Sequence, residues 1–366
     1  MRKTKFTDVT HTIKSAGPTR RKFLIGAGAV ASAAAAGPLI LTPGKARAQG
    51  DQIVVATWGG RFAEALTKVY YKPFEEATGI KVVVTGAPDF AKLTAAVKTG
   101  SVDIDVADLA SGWVVKGEET DVWAPIDKKI VNTEGAIPDA VRDKVLAYYT
   151  YAGGVGWSNK RNGEEGKHPT NWPEFWDPAK IPGRRGVRTR ISETLEIALM
   201  GDGVDPKDVY PCDIERGFKA LDRLKDDLQF IAQTPKTIER ISQNECDFTY
   251  TYNGRAFGAN QAGIPIGFSF KQNFFGLGWI AAVNKSPNPE GAQKLLAYLF
   301  DAKRQAEFAN TITYPGTLPA SMAMVAEEAK PWLPDPTAHD ACIENLDWWA
   351  PKFEELTKRY KEWQLT

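Results

Sequence analysis

The 366-residue sequence is poor in the residues that most often carry catalysis or bind metals. It holds three cysteines and three histidines, and beyond residue 48 the histidines fall to two, His168 and His339. No Gly-x-Ser-x-Gly, His-Glu-x-x-His, Cys-x-x-Cys or Walker sequence occurs. A hydrolase elbow, a zinc site and a nucleotide-phosphate loop therefore all lack their defining residues. Neither an enzyme nor a bound cofactor or metal is expected. Long apolar runs are scarce as well. The one candidate, Ile25 to Leu41, is Ala/Gly-rich and broken by Gly37-Pro38, and it falls short of the ~20 residues needed to span a bilayer. Cys212, Cys246 and Cys342 permit one disulfide in an oxidising compartment, but their spacing selects no pair. Buried free thiols are the simpler expectation.

What the N-terminus does contain is distinctive. Thr19-Arg20-Arg21-Lys22-Phe23-Leu24 precedes the apolar run, and Ala46-Arg47-Ala48 follows it. An arginine pair, a moderately apolar segment and a small-x-small site read as a twin-arginine export signal cleaved near Ala48. Removing residues 1–48 takes away nine basic residues and one acid, Asp8. Of the 46 basic and 45 acidic residues in the whole chain, 37 and 44 remain, a net charge of −7. An exported acidic protein is a poor partner for nucleic acid.

Residues 49–366 are long enough for two lobes. Gln52 to Thr57, Ile80 to Thr85 and Val102 to Val106 read as strands, separated by helices with apolar stripes. Gly79 and Gly100 stand where helix C-caps belong, Asp89 at an N-cap, and Pro73 at a kink. That alternation predicts an α/β fold with a parallel sheet. Further on, Glu193–Met200, Ile214–Leu228 and the segment from Pro289 read as helices, Asp301 caps a continuation, and Phe248–Tyr252 alternates as a strand. Gly154-Val155-Gly156-Trp157 is echoed by Gly276-Leu277-Gly278-Trp279. Two such glycine-flanked strands suit the crossings between lobes, where a hinge needs freedom.

From Trp58 onward the chain resembles the periplasmic spermidine/putrescine-type solute-binding proteins of ABC importers. Phe74-Glu75-Glu76-Ala77-Thr78-Gly79, Asn171-Trp172-Pro173-Glu174-Phe175-Trp176, Tyr252-Asn253-Gly254-Arg255 and Gln261-Ala262-Gly263-Ile264-Pro265 recur in the family's order. The resemblance implies a two-lobed periplasmic-binding-protein fold of type II. On this reading residues 49–156 plus 278–326 form the first lobe and 157–277 plus 327–366 the second, with a ligand cleft between them. It further implies a periplasmic monomer that captures a solute by lobe closure and hands it to permease subunits coupled to a cytoplasmic ATPase, after passage through the twin-arginine machinery.

The same resemblance places Trp58, Tyr252 and Glu193 at pocket positions, which suits an amine-containing ligand. Trp113 and Phe275 could extend the aromatic wall. Five departures stand beside these matches. Arg190 replaces a pocket acid, Arg61 a tyrosine and Arg255 a serine, while Gly278 and Gly276 stand where an aspartate and a tryptophan are usual. Three arginines would repel a simple polyamine but suit carboxylate or phosphonate groups. The expected solute is therefore a zwitterion such as 4-aminobutyrate or an aminophosphonate, its amine on Glu193 or Asp89 and its acid on Arg61, Arg190 or Arg255. The alternatives are a polyamine or other organic cation, with the arginines structural, and more remotely ferric ion held by tyrosines such as Tyr148-Tyr149 or Tyr70-Tyr71.

Overall fold

Strand, helix and strand follow one another as the pattern predicts. In a computed structural model that describes residues 52–334 and 340–366, strand β1 (Gln52–Ala56) lies between β2 (Lys81–Thr85) and β3 (Val106–Leu109), parallel to both. The expected export signal and its expected cleavage site lie outside the described residues. Gly79 and Gly100 close their helices with φ of 74° and 72°, the left-handed conformation that favours glycine. The Asp89 carboxylate accepts the Lys92 N–H at 3.1 Å. Pro73 sits in the first turn of helix Lys72–Thr78, after a π-helical stretch at Thr67–Tyr71, a position where its missing N–H costs no hydrogen bond.

Two elements differ from expectation. The third strand begins at Val106 rather than Val102, because Asp105 is spent elsewhere. Its buried carboxylate accepts from the Val54 N–H at 2.7 Å, the Ser286 hydroxyl at 2.6 Å and the Asn288 N–H at 3.0 Å. The helix expected to reach Leu228 ends at Leu224. One 3-10 turn follows, and Leu228, at stripe spacing, opens a strand instead.

The remaining strands are β4 (Leu146–Ser158), β5 (Arg185–Arg188), β6 (Leu228–Ile231), β7 (Phe248–Tyr252), β8 (Ile266–Phe268), β9 (Phe274–Ala282) and β10 (Cys342–Ile343). They join one sheet in the order β2-β1-β3-β9-β4-β7-β5-β6, with β8 on β4 and β10 on β9. The two long strands, β4 and β9, are antiparallel neighbours, and each enters more than one apolar core. Leu146, Tyr148 and Ile280 pack with Ile53, Leu66 and Phe74, while Ala147 and Trp279 pack with Val114 and Trp123. Farther along the same strands, in what is the second core of the molecule, Val155, Trp157 and Phe274 pack with Trp172, Val187, Leu195 and Trp349. The three cysteines are buried and unpaired. Among the described residues no helix is long and apolar enough to cross a membrane.

The glycines of the repeated Gly-x-Gly-Trp segments have ordinary φ values. What they supply is space. A bulge at Tyr148 shifts the β4–β9 register so that Tyr149 faces Gly278 and Tyr151 faces Gly276. A Cβ on Gly278 would stand 2.0 Å from the Tyr149 ring, and one on Gly276 would stand 2.4 Å from the Tyr151 ring. Bulges re-aim side chains in this way, and here they lay two tyrosines flat across the neighbouring strand. Gly278→Ala should therefore cost about 1–3 kcal/mol through overpacking. In chemical denaturation that cost should fall by more than half when Tyr149→Ala is already present. Strictly additive costs would show that the ring does not occupy this space.

Candidate functional site

Strands β5, β6 and β7 are mutually parallel in the second core, and in such sheets ligands bind beyond the carboxyl ends of the strands. The segments leaving those ends carry Arg188 to Glu193, Ala232 to Thr234, and Tyr252 to Arg255. Glu193 is the centre of the group. It precedes helix Thr194–Gly201 with a φ of 71°, a conformation that costs a non-glycine residue of order 1–3 kcal/mol. Its carboxylate is 3% exposed and receives three donors. Arg190 Nη2 reaches Oε1 at 2.6 Å, the Tyr151 hydroxyl reaches Oε1 at 3.3 Å, and the Tyr252 hydroxyl reaches Oε2 at 2.6 Å. Arg190 Nη2 also donates to the Tyr252 oxygen at 2.5 Å. Burial works against the Arg190 charge, yet the Glu193 carboxylate holds this guanidinium well above its ordinary pKa.

Tyrosines enclose the group on the side of the long strands. Tyr151 meets Tyr252 edge-on at 5.6 Å between ring centroids, and Tyr149 stacks on Tyr314 at 5.3 Å and 14°. Burial pushes the Tyr314 hydroxyl up to about 12, against the opposing charge of Arg255. Arg255 lies in the first turn of helix Asn253–Gln261. Among the described residues it has neither a hydrogen-bond acceptor nor a carboxylate partner. Its Nη1 lies 3.8 Å from where a Cβ on Gly60 would stand, so it reaches the start of the first helix.

The expected site residues thus fall into groups. Glu193, Arg190 and Tyr252 form one hydrogen-bonded cluster, and Arg255 lies unpaired beside the tyrosines next to it. Arg61 is exposed and donates to the Gly258 carbonyl at 3.1 Å, tying the helix after Trp58 to the helix of Arg255. Trp58 lies 5.9 Å from Trp113, which stacks on Phe90 at 5.8 Å. Asp89 is an exposed helix cap. Phe275 is buried and alternates away from the face of Gly276 and Gly278.

Four functional candidates escaped the sequence reading. Tyr151 and Arg188 flank the cluster from β4 and β5. Glu344, just after β10, accepts the Ser111 hydroxyl at 2.6 Å, and burial, with Glu193 and Glu196 nearby, pushes it up to about 8. Glu196, one helical turn beyond Glu193, is wholly buried. The only signal for Glu196 was an acid inside the apolar run Leu195–Met200.

Residues 70–337 match the family described as bacterial extracellular solute-binding protein. A gamma-aminobutyric acid-binding protein of Pseudomonas aeruginosa is 26% identical over 87% of this chain and 92% of its own. The spermidine/putrescine-binding periplasmic protein of Escherichia coli is 26% identical over 70% of this chain and 75% of its own. Among solved structures, a periplasmic binding protein of A. tumefaciens R10 in complex with agropinic acid superposes with a TM-score of 0.80 at 26% identity, covering 86% and 99% of the two chains. An ABC transporter substrate-binding protein from Bradyrhizobium japonicum gives a TM-score of 0.79 at 26% identity, covering 85% and 98%. The two-lobed type II periplasmic-binding-protein fold is therefore the fold of this chain.

Glu196 gives a pH test of the second core. Its Oε1 accepts from Trp349 Nε1 at 2.7 Å and from the Tyr210 hydroxyl, while Oε2 has no partner among the described residues. Burial raises its pKa from 4.5 to about 7, against those two donors. A raised carboxyl pKa means the folded state binds the proton more tightly than the unfolded one. The associated stability is complete below pH 4.5 and is lost as pH rises through about 7. Melting temperature should fall across that window, and Glu196→Gln should flatten the fall. An equal slope in the variant would remove Glu196 as its cause.

Proposed function

The chain belongs to the bacterial extracellular solute-binding protein family and is the substrate-binding component of an ABC importer, and we propose that it captures a small zwitterionic solute of the 4-aminobutyrate type, bearing an amine and an acid group. The observation that carries this reading is the charge balance at the strand ends. Glu193 and Arg190 neutralise each other at 2.6 Å, whereas Arg255 has no anion among the described residues. A half-buried guanidinium beside aromatic rings is suited to a carboxylate, which it can hold through two parallel N–H donors. The solute's amine then meets Glu193, whose carboxylate retains acceptor capacity, within the tyrosine enclosure.

In this reading the lobes are residues 49–156 with 278–326, and 157–277 with 327–366, and β4 and β9 cross between them. Residues near 330 touch both sides: Ala329 and Leu333 pack with Ala306 and Ala309, and Trp332 packs against Phe257 at 5.9 Å. Closure brings Arg61 to Gly258 and traps the solute. Residues 1–48 act as a twin-arginine export signal, delivering the receptor to the periplasm beside its permease.

A plain diamine is the second reading, favoured by Arg190 being already paired and by the E. coli relative, but it leaves Arg255 facing a cation. Isothermal titration of an Arg255→Gln variant separates the two. Loss of a charge-assisted contact of about 1.5–3 kcal/mol should weaken 4-aminobutyrate binding by about tenfold or more. Putrescine binding should not weaken. Unchanged 4-aminobutyrate affinity would overturn the assignment of the acid group to Arg255.

A further inference from the structure

Two arginines on one strand are treated very differently by the fold. Arg185 is wholly buried, but its guanidinium donates to the carbonyls of Phe175, Ile181 and Gly183 and lies 5.4 Å from the Phe248 ring centroid. Every side of it is used, and it holds the loop before β5. Arg188, at the carboxyl end of the same strand, is 5% exposed. Its Nη2 donates to the Ala232 carbonyl at 3.0 Å and to Thr234 Oγ1 at 3.2 Å. Its Nε and Nη1 are buried and have no partner among the described residues, and Arg190 Nε is orphaned in the same way. No carboxylate among the described residues lies within ion-pair reach of Arg188.

The charges in this corner do not balance. Arg188 and Arg190 contribute two positive charges, and Glu193, paired with Arg190, contributes one negative charge. Arg188 feels the like charge of Arg190 as well as Glu193, and burial lowers its pKa. A buried guanidinium without a counter-ion is costly, and folded proteins pair or coordinate such groups. Three buried nitrogens with four unused N–H groups, and one uncompensated charge, have the chemistry that an anion satisfies.

We propose that Arg188, with the free edge of Arg190, forms an anion subsite at the end of β5 that receives a second acid group of the solute. This deepens the reading above and rests on it: one acid group lies on Arg255, the amine lies on Glu193, and a further carboxylate lies on Arg188. The solute class is then an amine carrying two acid groups. A single-acid amine fills the site only in part and leaves Arg188 uncompensated.

L-glutamate and 4-aminobutyrate differ by one carboxylate and make the test direct. By isothermal titration the wild-type protein should bind the two-acid solute about tenfold or more tightly, the ratio expected for one charge-assisted contact. Arg188→Gln should bring that ratio close to one. Arg188→Lys, which keeps the charge but loses the forked donors, should retain part of it and serves where Arg188→Gln fails to fold. A wild-type ratio of one or less, or a ratio kept in a folded Arg188→Gln protein, overturns the subsite while leaving the zwitterion reading intact. Binding of putrescine with neither acid overturns both.

Discussion

The Glu193 carboxylate is the constraint around which the site is built. It draws a donor from β4 (Tyr151), one from β7 (Tyr252) and one from the turn after β5 (Arg190) onto two oxygens. Hydrogen bonds to a charged group are worth about 1.5–3 kcal/mol each. Together they can hold Glu193 at its left-handed φ, a strain of order 1–3 kcal/mol. That backbone conformation starts the helix Thr194–Gly201 and sends Glu196 into the second core, where it anchors Trp349. The site and the core behind it therefore share one local geometry. The ion pair also neutralises the Arg190 charge, so in the proposed reading the recognition of anions rests mainly on its neighbours, with only the free edge of Arg190 contributing.

The long strands line one side of that carboxylate with tyrosine rings. Gly276 and Gly278 give up side chains so that Tyr151 and Tyr149 can lie across β9. Tyr314 and Tyr252 extend the aromatic face to either side. Where the polyamine-binding pattern has an aspartate and a tryptophan on the second crossing strand, this chain has space filled by tyrosine rings from the first. An acid has been exchanged for neutral hydroxyls, and arginines have been added nearby. In the proposed reading both changes turn the site away from dications and toward solutes with acid groups.

Much of the fold was legible because its signals are local. Asp89, Asp301, Gly79 and Gly100 each mark a helix end by chemistry confined to one turn, and each does so in the structure. The displaced third strand was not legible, since Asp105 is claimed by Val54 and by Ser286 and Asn288, far apart in sequence. Leu228 misled for a related reason: its spacing fits the preceding helix, but its partners are on β5. In the site, Glu193, Arg190 and Tyr252 were found through family resemblance, and their mutual hydrogen bonds followed only from the fold. Arg188 carried no signal at all. Its neighbour Arg185 is the same residue type on the same strand, and only the pattern of filled and empty donors tells the two apart.

The central claim is that this receptor takes an acid-bearing amine rather than a polyamine. Isothermal titration of the wild-type, ligand-stripped protein with 4-aminobutyrate and with putrescine tests it most directly. The account predicts saturable binding of 4-aminobutyrate, tighter than any binding of putrescine. Saturable binding of putrescine alone would contradict it.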